Sequence, residues 1–201
     1  GFDFLKYDWC SYGTVVKGRS LTELEEPYIK MGSLLKKQDR DMVLNMCQYG
    51  MGDVWKWGRA VGGSSWRTTG DLGVVKGGTL PGFYSIGFAN AELGKYAGPG
   101  GWNDPDYILI GTVGNARDIT MPAKPTALTA GEQYSYMSMW SLMAAPLFFS
   151  GEMTKLDDFT LNVLCNSEVM DIDQDSLGKQ GRVVRKTAEE FVLAKPLDDG
   201  S

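Results

Sequence analysis

Phe2-Asp3-Phe4-Leu5-Lys6-Tyr7-Asp8 reads as a short aromatic strand that closes on an acid, and residues 23–38 behind it space Leu24, Tyr28, Met31, Leu34 and Leu35 at helical intervals. That strand-then-helix unit recurs along the chain. Residues 42–46 read as a buried strand and 54–61 as a short helix; 65–69 read as a strand ending near Asp71, and 84–95 as helix. Residues 107–110 follow as a fourth strand, 131–145 as a strongly apolar helix and 146–149 as a fifth strand. Residues 157–170 complete the series as a helix whose Phe159, Val163, Leu164 and Val169 could face a core. Such alternation predicts an α/β fold with a parallel sheet covered by helices.

Two α/β architectures satisfy that pattern, the open doubly wound sheet and the closed (β/α)8 barrel, and both place function at strand C-termini. Asp8, Cys47 with Gln48, Arg67 with Asp71, and Asp104 with Asp106 all lie at or beside strand ends. Polar residues converging from four strands onto one rim fit a barrel. A doubly wound nucleotide site needs a Gly-rich turn after its first strand, and no G-x-G-x-x-G follows Tyr7. A barrel has eight strands, so five units imply a fragment covering strands four to eight, with three more upstream. From Arg182 the character changes: Val183-Val184-Arg185 and Phe191-Val192-Leu193-Ala194 are β-prone, and Asp198-Asp199-Gly200 is turn-like. Residues 1–181 are therefore expected to belong to the barrel, and 182–201 to begin a C-terminal antiparallel β-domain.

Composition narrows the chemistry. The 201 residues are 43% hydrophobic and 22% charged, enough apolar material for one sizeable core. Net charge is −5 with Lys and Arg scattered, which argues against a nucleic-acid partner. The longest apolar run, residues 137–149, is interrupted by Ser138, Ser141 and Pro146 and falls short of the roughly 18 residues a membrane span needs. The chain contains no His, which removes Ser-His and Cys-His nucleophiles and every His-ligated metal. Cys10, Cys47 and Cys165 form no C-x-x-C. Gly is 26 of 201 residues, and it gathers in Gly77-Gly78 and Gly98-Pro99-Gly100-Gly101, which read as long surface loops.

Without His, acid/base work falls to carboxylates, and two carboxylates in different protonation states are what glycoside cleavage requires. Asp8 and Asp71 are the candidate pair. Asp8 has the Lys6 ammonium two residues away, which favours the ionised form a nucleophile needs. Asp71 ends Trp66-Arg67-Thr68-Thr69-Gly70-Asp71, in which Arg67 could fix a sugar hydroxyl or orient the carboxylate. Trp9, Tyr49, Trp55, Trp57, Trp66 and Trp102 could supply apolar faces for a pyranose ring. Each residue also has a plainer reading: an Asp after a strand caps or turns the chain, an Arg pairs, a Trp fills core, and Asp104 and Asp106 around Pro105 make a rigid turn.

Five stretches carry a resemblance: Lys6-Tyr7-Asp8-Trp9-Cys10, Ser65-Trp66-Arg67-Thr68-Thr69-Gly70-Asp71, Gly98-Pro99-Gly100-Gly101-Trp102-Asn103-Asp104-Pro105-Asp106, Met143-Ala144-Ala145-Pro146-Leu147, and Gln174-Asp175-Ser176-Leu177-Gly178-Lys179-Gln180-Gly181. In that order they resemble the α-galactosidases of glycoside hydrolase family 27. The resemblance implies a (β/α)8 barrel followed by a β-domain, and hydrolysis of α-galactosides with retention. It implies Asp8 as nucleophile and Asp71 as general acid/base, with Lys6, Trp9, Cys47, Gln48, Arg67, Asp106 and Tyr107 lining the sugar site. No cofactor or metal is expected, the expected partner is a carbohydrate, and homo-oligomerisation is left open. Secretion or a periplasmic location is likewise implied, with Cys10 paired to a cysteine upstream and Cys47 free because its usual partner is replaced near Gly63 or Ser64.

The pattern departs after the second strand, where the family reads Cys-Glu-Trp and this chain reads Cys47-Gln48-Tyr49. Gln48 can still hold a 2-hydroxyl, since an amide both donates and accepts, but without charge assistance. That leaves α-N-acetylgalactosaminide, β-L-arabinopyranoside and isomaltose-releasing specificities open beside galactose. A carbohydrate-binding barrel without turnover is the alternative from another class. A phosphate-binding metabolic barrel fits poorly, because Phe149-Ser150-Gly151-Glu152 sets an acid where a phosphate loop would be.

Overall fold

The computed structural model describes residues 2–16, 18–72, 82–114 and 120–201. Four strands, β1 (Phe4–Asp8), β2 (Val43–Cys47), β3 (Ser65–Arg67) and β4 (Trp102–Asp104), form one parallel sheet in the order β1-β2-β3-β4. Strands added in sequence order, each beside its predecessor, are what a barrel wall requires. A doubly wound sheet instead reverses direction at a switch point. Curvature agrees: the Lys6 ammonium on β1 donates to the Tyr107 hydroxyl, just past β4, at 2.5 Å, and the Phe4 and Phe148 rings meet edge to face at 5.3 Å. In a flat sheet, three strand spacings would hold β1 and β4 about 14 Å apart.

The fourth strand differs from the expectation. It lies at Trp102–Asp104, and residues 107–110 do not pair with β3; Ile108 instead makes an isolated parallel bridge with Phe149. Pro105 supplies no N–H to continue a ladder, and Asp106 turns the chain at φ 89°. The apolar run beyond that corner therefore pairs with the next segment, Ile108 N donating to Phe148 O at 2.7 Å and Ser150 N to Ile108 O at 3.0 Å. The expected fifth strand at 146–149 appears as that bridge.

Helices cover one face. α1 (Leu21–Leu35) begins in a capping box in which Ser20 Oγ accepts from Glu23 N and the Glu23 carboxylate accepts from Ser20 N at 2.9 Å. It lays Leu24 and Tyr28 against Leu44 and Met46 of β2 and Trp66 of β3, with Val54 and Trp57 completing the cluster. The expected helix at 54–61 is only a 3-10 turn at Val54–Lys56. α2 (Gly82–Ala91) and α3 (Ala130–Leu142) build a second cluster around Phe83, Tyr136, Trp140, Met143, Ile108 and Ile110. The helix expected over 157–170 is two, α4 (Asp158–Leu164) and α5 (Ser167–Asp173), because the Asn166 side chain accepts from Val169 N at 3.1 Å and starts a new helix there.

Two short antiparallel ladders complete the fold. β5 (Thr112–Val113) pairs with β6 (Lys124–Pro125), and β7 (Arg182–Lys186) pairs with β8 (Phe191–Ala194). The β7–β8 hairpin stacks Phe191 on Phe88 of α2 at 4.0 Å. The Gly77-Gly78 loop lies outside the described residues, and among those residues no helix is long and apolar enough to cross a membrane.

Two stability predictions follow from packing. A Cβ on Gly32 of α1 would fall on the Val61 carbonyl oxygen, so Gly32→Ala should lower stability by about 1–3 kcal/mol in chemical unfolding despite alanine's better helix propensity. Burial pushes the Asp173 carboxyl up to about 7 against the pull of Lys195. The folded state thus binds this proton more tightly than the unfolded chain, whose Asp titrates near 3.8, and the group's contribution to stability is lost as pH rises from about 4 to about 7. Asp173→Asn should flatten the dependence of Tm on pH across that window, with its gain over the parent largest above pH 7.

Candidate active site

Side chains alternate along a strand, so those opposite the helices share one inner wall. The register Asp8↔Cys47 and Arg67↔Asp104 puts Lys6 and Asp8 of β1, Asn45 and Cys47 of β2, Ser65 and Arg67 of β3, and Asp104 of β4 on that wall, with Asp8, Cys47, Arg67 and Asp104 each closing its strand. Asn45 Nδ2 ties three strands together by donating to Ser65 Oγ at 2.7 Å and Asp104 Oδ2 at 2.8 Å.

Arg67 organises the rim. Its side chain is 1% exposed, and Nη2 reaches Asp106 Oδ2 at 2.9 Å, Asp71 Oδ1 at 3.4 Å and the Gly70 carbonyl at 3.0 Å, while Nη1 donates to Cys47 Sγ at 3.6 Å. Asp106, equally buried, also accepts from Leu72 N at 2.8 Å. Burial pushes the Asp106 carboxyl up, against the opposing pull of Arg67. Burial likewise pushes the Cys47 thiol up to about 12, so it remains a neutral thiol. The Lys6 ammonium meets the Tyr107 ring at 4.0 Å as well as its hydroxyl. Burial would weaken its charge, but the Tyr107 hydrogen bond and neighbouring negative groups outweigh it and hold the pKa above the ordinary value.

The two candidate carboxylates sit in unlike surroundings. Burial opposes ionisation of Asp8, but hydrogen bonds from the Tyr49 hydroxyl at 2.7 Å and Cys10 N at 2.8 Å overcome it and hold the carboxyl below its ordinary range. Asp71 keeps half of its side chain open to solvent, tethered through Arg67. Both carboxylates act electrostatically on the Tyr49 phenol, whose pKa burial and these charges raise. Among the described residues no three Cys, Asp or Glu side chains gather as a metal site.

The structure gathers Lys6, Asp8, Cys47, Arg67, Asp71, Asp106 and Tyr107 on this rim. Trp9, which borders a cavity together with Asp8, and Gln48 turn their side chains into the core. Each stands one step past an inward-pointing residue, and alternation sends it the other way. Trp9 is buried in the cluster with Tyr28, Trp57 and Trp66, edge-on to Tyr12. Gln48 is fully buried with its amide donating to Met51 O at 2.7 Å. Trp57 and Trp66 are likewise core rather than open ring faces. Tyr49 entered the sequence reading only as an aromatic surface. Its φ of 63° swings the residue back toward Asp8, a backbone state that residue types do not reveal. Cys10, Cys47 and Cys165 are unpaired within the chain.

The chain is similar to known proteins. The family model described as alpha galactosidase A (melibiase) matches residues 1–175. An alpha-galactosidase of Cyamopsis tetragonoloba is 36% identical over 200 residues, covering 99% of this chain and 42% of that protein. A Bacteroides fragilis crystal structure provisionally assigned as an alpha-galactosidase/melibiase superposes over 100% of this chain and 41% of its own, with TM-score 0.87 and 36% identity. A family 27 β-L-arabinopyranosidase from Geobacillus stearothermophilus matches 100% of this chain and 44% of its own, with TM-score 0.80 and 25% identity. The chain thus spans between 41% and 44% of the length of these relatives. With a family match over most of its residues and a sequentially ordered parallel wall, the chain belongs to the alpha galactosidase A (melibiase) family of glycoside hydrolases, and its sheet is part of that family's (β/α)8 barrel.

Proposed function

We propose that the protein carrying this chain is a retaining glycoside hydrolase that releases terminal α-linked galactose, with Asp8 as nucleophile and Asp71 as general acid/base. The observation that carries this reading is the unequal pair. Asp8 is held as an anion by two hydrogen bonds on one oxygen, while Asp71 stands solvent-accessible at the same rim, both acting on Tyr49. In the first step a carboxylate oxygen of Asp8 bonds to the anomeric carbon as the glycosidic bond breaks, and Asp71 gives its proton to the departing oxygen. In the second, Asp71 takes a proton from water, which attacks the anomeric carbon and releases Asp8 as carboxylate. The two steps balance with water alone.

Lys6, Cys47, Arg67, Asp106 and Tyr107 form the rest of the proposed sugar rim. Arg67 and Asp106 pair through Nη2 and Oδ2 and so fix the loops after β3 and β4, leaving Arg67 Nε and Asp106 Oδ1 buried without a hydrogen-bond partner among the described residues, while Lys6 with Tyr107 offers the accessible cation and hydroxyl. The chain would supply strands four to eight, with the β7–β8 hairpin beginning an antiparallel domain at residue 182. Galactose is preferred because the curated relative of highest identity quoted above is an alpha-galactosidase. The structural likeness to a β-L-arabinopyranosidase favours that sugar as the second reading. Secretion or periplasmic placement, with Cys10 paired beyond this chain, belongs to the same proposal.

With the full-length protein acting on an α-galactoside, NMR should show α-galactose first, and first appearance of the β-anomer would exclude double displacement. Asp8→Gly should lose on the order of 10³-fold or more in kcat, with azide restoring turnover as the β-glycosyl azide. Asp71→Asn should cost about 10²–10⁴-fold on poor leaving groups and far less on p-nitrophenyl glycosides, which need no protonation. Sugar binding without turnover by the unaltered protein would instead identify a silent barrel.

A further inference from the structure

Tyr49 is the one hydroxyl that donates to Asp8 among the described residues, and it occupies the position where the family pattern given above has Trp. Its Oη lies 2.7 Å from Asp8 Oδ1, the same oxygen that accepts Cys10 N at 2.8 Å. Among the described residues no nitrogen or oxygen donor falls on Asp8 Oδ2, and the other side-chain partners of the carboxylate are the weakly donating Cys47 and Cys10 thiols. The two carboxylate oxygens are therefore not equivalent. Tyr49 reaches this place through a left-handed φ of 63°, followed by Gly50 at φ 80°, where a Cβ would strike the Thr68 carbonyl. A non-glycine residue held in that region signals a backbone that its surroundings over-determine.

We propose that Tyr49 is a positioning residue of this site, clamping Asp8 Oδ1 so that Oδ2 is the oxygen that bonds to the anomeric carbon. The inference rests on the reading of Asp8 as nucleophile. Once the ester has formed through Oδ2, Oδ1 is its carbonyl oxygen, and the same phenol donates to it. As water attacks and the ester breaks, negative charge returns to the carboxylate and that hydrogen bond strengthens, so Tyr49 assists the departure of Asp8, and its part in the attack is to hold Oδ2 toward the anomeric carbon. Tyr49 remains a proton donor throughout, because burial and the charges of Asp8 and Asp71 oppose its ionisation. The other titratable groups around Asp8 are the Cys10 thiol beside it, the Cys47 thiol on β2, Tyr28 from α1, the Lys6 ammonium on the same face of β1, and Asp71 across the rim. The Asp8 charge raises the pKa of the Cys10 thiol, and burial raises those of the Cys47 thiol and Tyr28, so none of the three supplies a competing anion at neutral pH.

The test is Tyr49→Phe in the full-length enzyme, read as a pH profile of kcat/KM with Asp8→Asn run in parallel. Losing a hydrogen bond to a charged group should lower kcat/KM by about 10–100-fold and move the acid limb upward by on the order of one pH unit, since Asp8 then protonates more readily. A merely structural role would lower activity or Tm without moving that limb. Should Tyr49→Phe fail to fold, 3-fluorotyrosine at position 49 keeps the shape and makes the phenol a stronger donor, which should shift the acid limb downward. An unmoved limb in either variant overturns the proposal. If Asp8→Asn abolishes turnover while the Tyr49 variants leave the profile unchanged, Tyr49 alone is wrongly assigned. If Asp8→Asn retains activity, the nucleophile assignment itself falls.

Discussion

A guanidinium almost wholly out of water, as Arg67 is, must be surrounded by acceptors or it cannot remain in a folded chain. That requirement shapes the rim. Asp106 approaches Arg67 from the loop after β4, Asp71 and the Gly70 carbonyl from the loop after β3, and the Cys47 sulfur from the end of β2. Three strand ends are drawn to one charge. The candidate acid/base thus takes its place through the demands of a neighbour that contributes no proton itself. Removing either member of such a pair leaves the other as an uncompensated buried ion, so the rim is rigid for electrostatic reasons as much as for packing.

A second network anchors the same strands from the helix side. Trp66 Nε1 donates to Asn103 Oδ1 at 2.8 Å, and Asn103 Nδ2 donates to Gln180 Oε1 at 3.0 Å. Gln180 Nε2 in turn donates to the Asn90 carbonyl at 3.0 Å, and Thr68 Oγ1 to Asn90 Oδ1 at 2.7 Å. These buried amides join β3, β4, α2 and the segment before β7 with nearly every donor matched to an acceptor, which specifies one arrangement more narrowly than apolar contact does. The motif ending in Gln180-Gly181 is therefore tied to the sheet directly, and the hairpin that follows leaves from a fixed point.

How much of this was legible from residue types depends on what each element needs. Helix α1 announced itself, because Leu24, Tyr28, Met31, Leu34 and Leu35 recur at helical spacing, whereas its true start at the Ser20–Glu23 capping box was not read from residue types. The first three strands were visible as short apolar runs closing on polar ends. The fourth was read a few residues late, since Tyr107-Ile108-Leu109-Ile110 is the more apolar run, whereas Trp102-Asn103-Asp104 is a strand that carries polar side chains on both faces. Its Asn103 and Asp104 are stabilised by partners 10 to 77 positions distant in sequence, and no local pattern registers those. Asp8, Arg67 and Asp71 could be picked out as strand-end residues. The orientation of Trp9 and Gln48 could not, because chemistry suited to sugar says nothing of which side of the wall a side chain takes.

The same reasoning separates the roles of the strained positions. Tyr49 and Asp106, both outside the preferred backbone region at φ 63° and 89°, lie two residues past the ends of β2 and β4. Each cost is borne by a polar contact made on the inner wall: Tyr49 to Asp8, Asp106 to Arg67. In relaxed extended backbone, alternation would send Tyr49 inward one residue pair further along and would continue β4 past Asp104 toward Asp106 without the corner at Pro105. The strained turns instead bring both side chains back over the strand ends, where Asp8 and Asp71 stand. Barrel geometry delivers the strands to a common rim, and these two bends set a phenol on Asp8 and a carboxylate on Arg67 there.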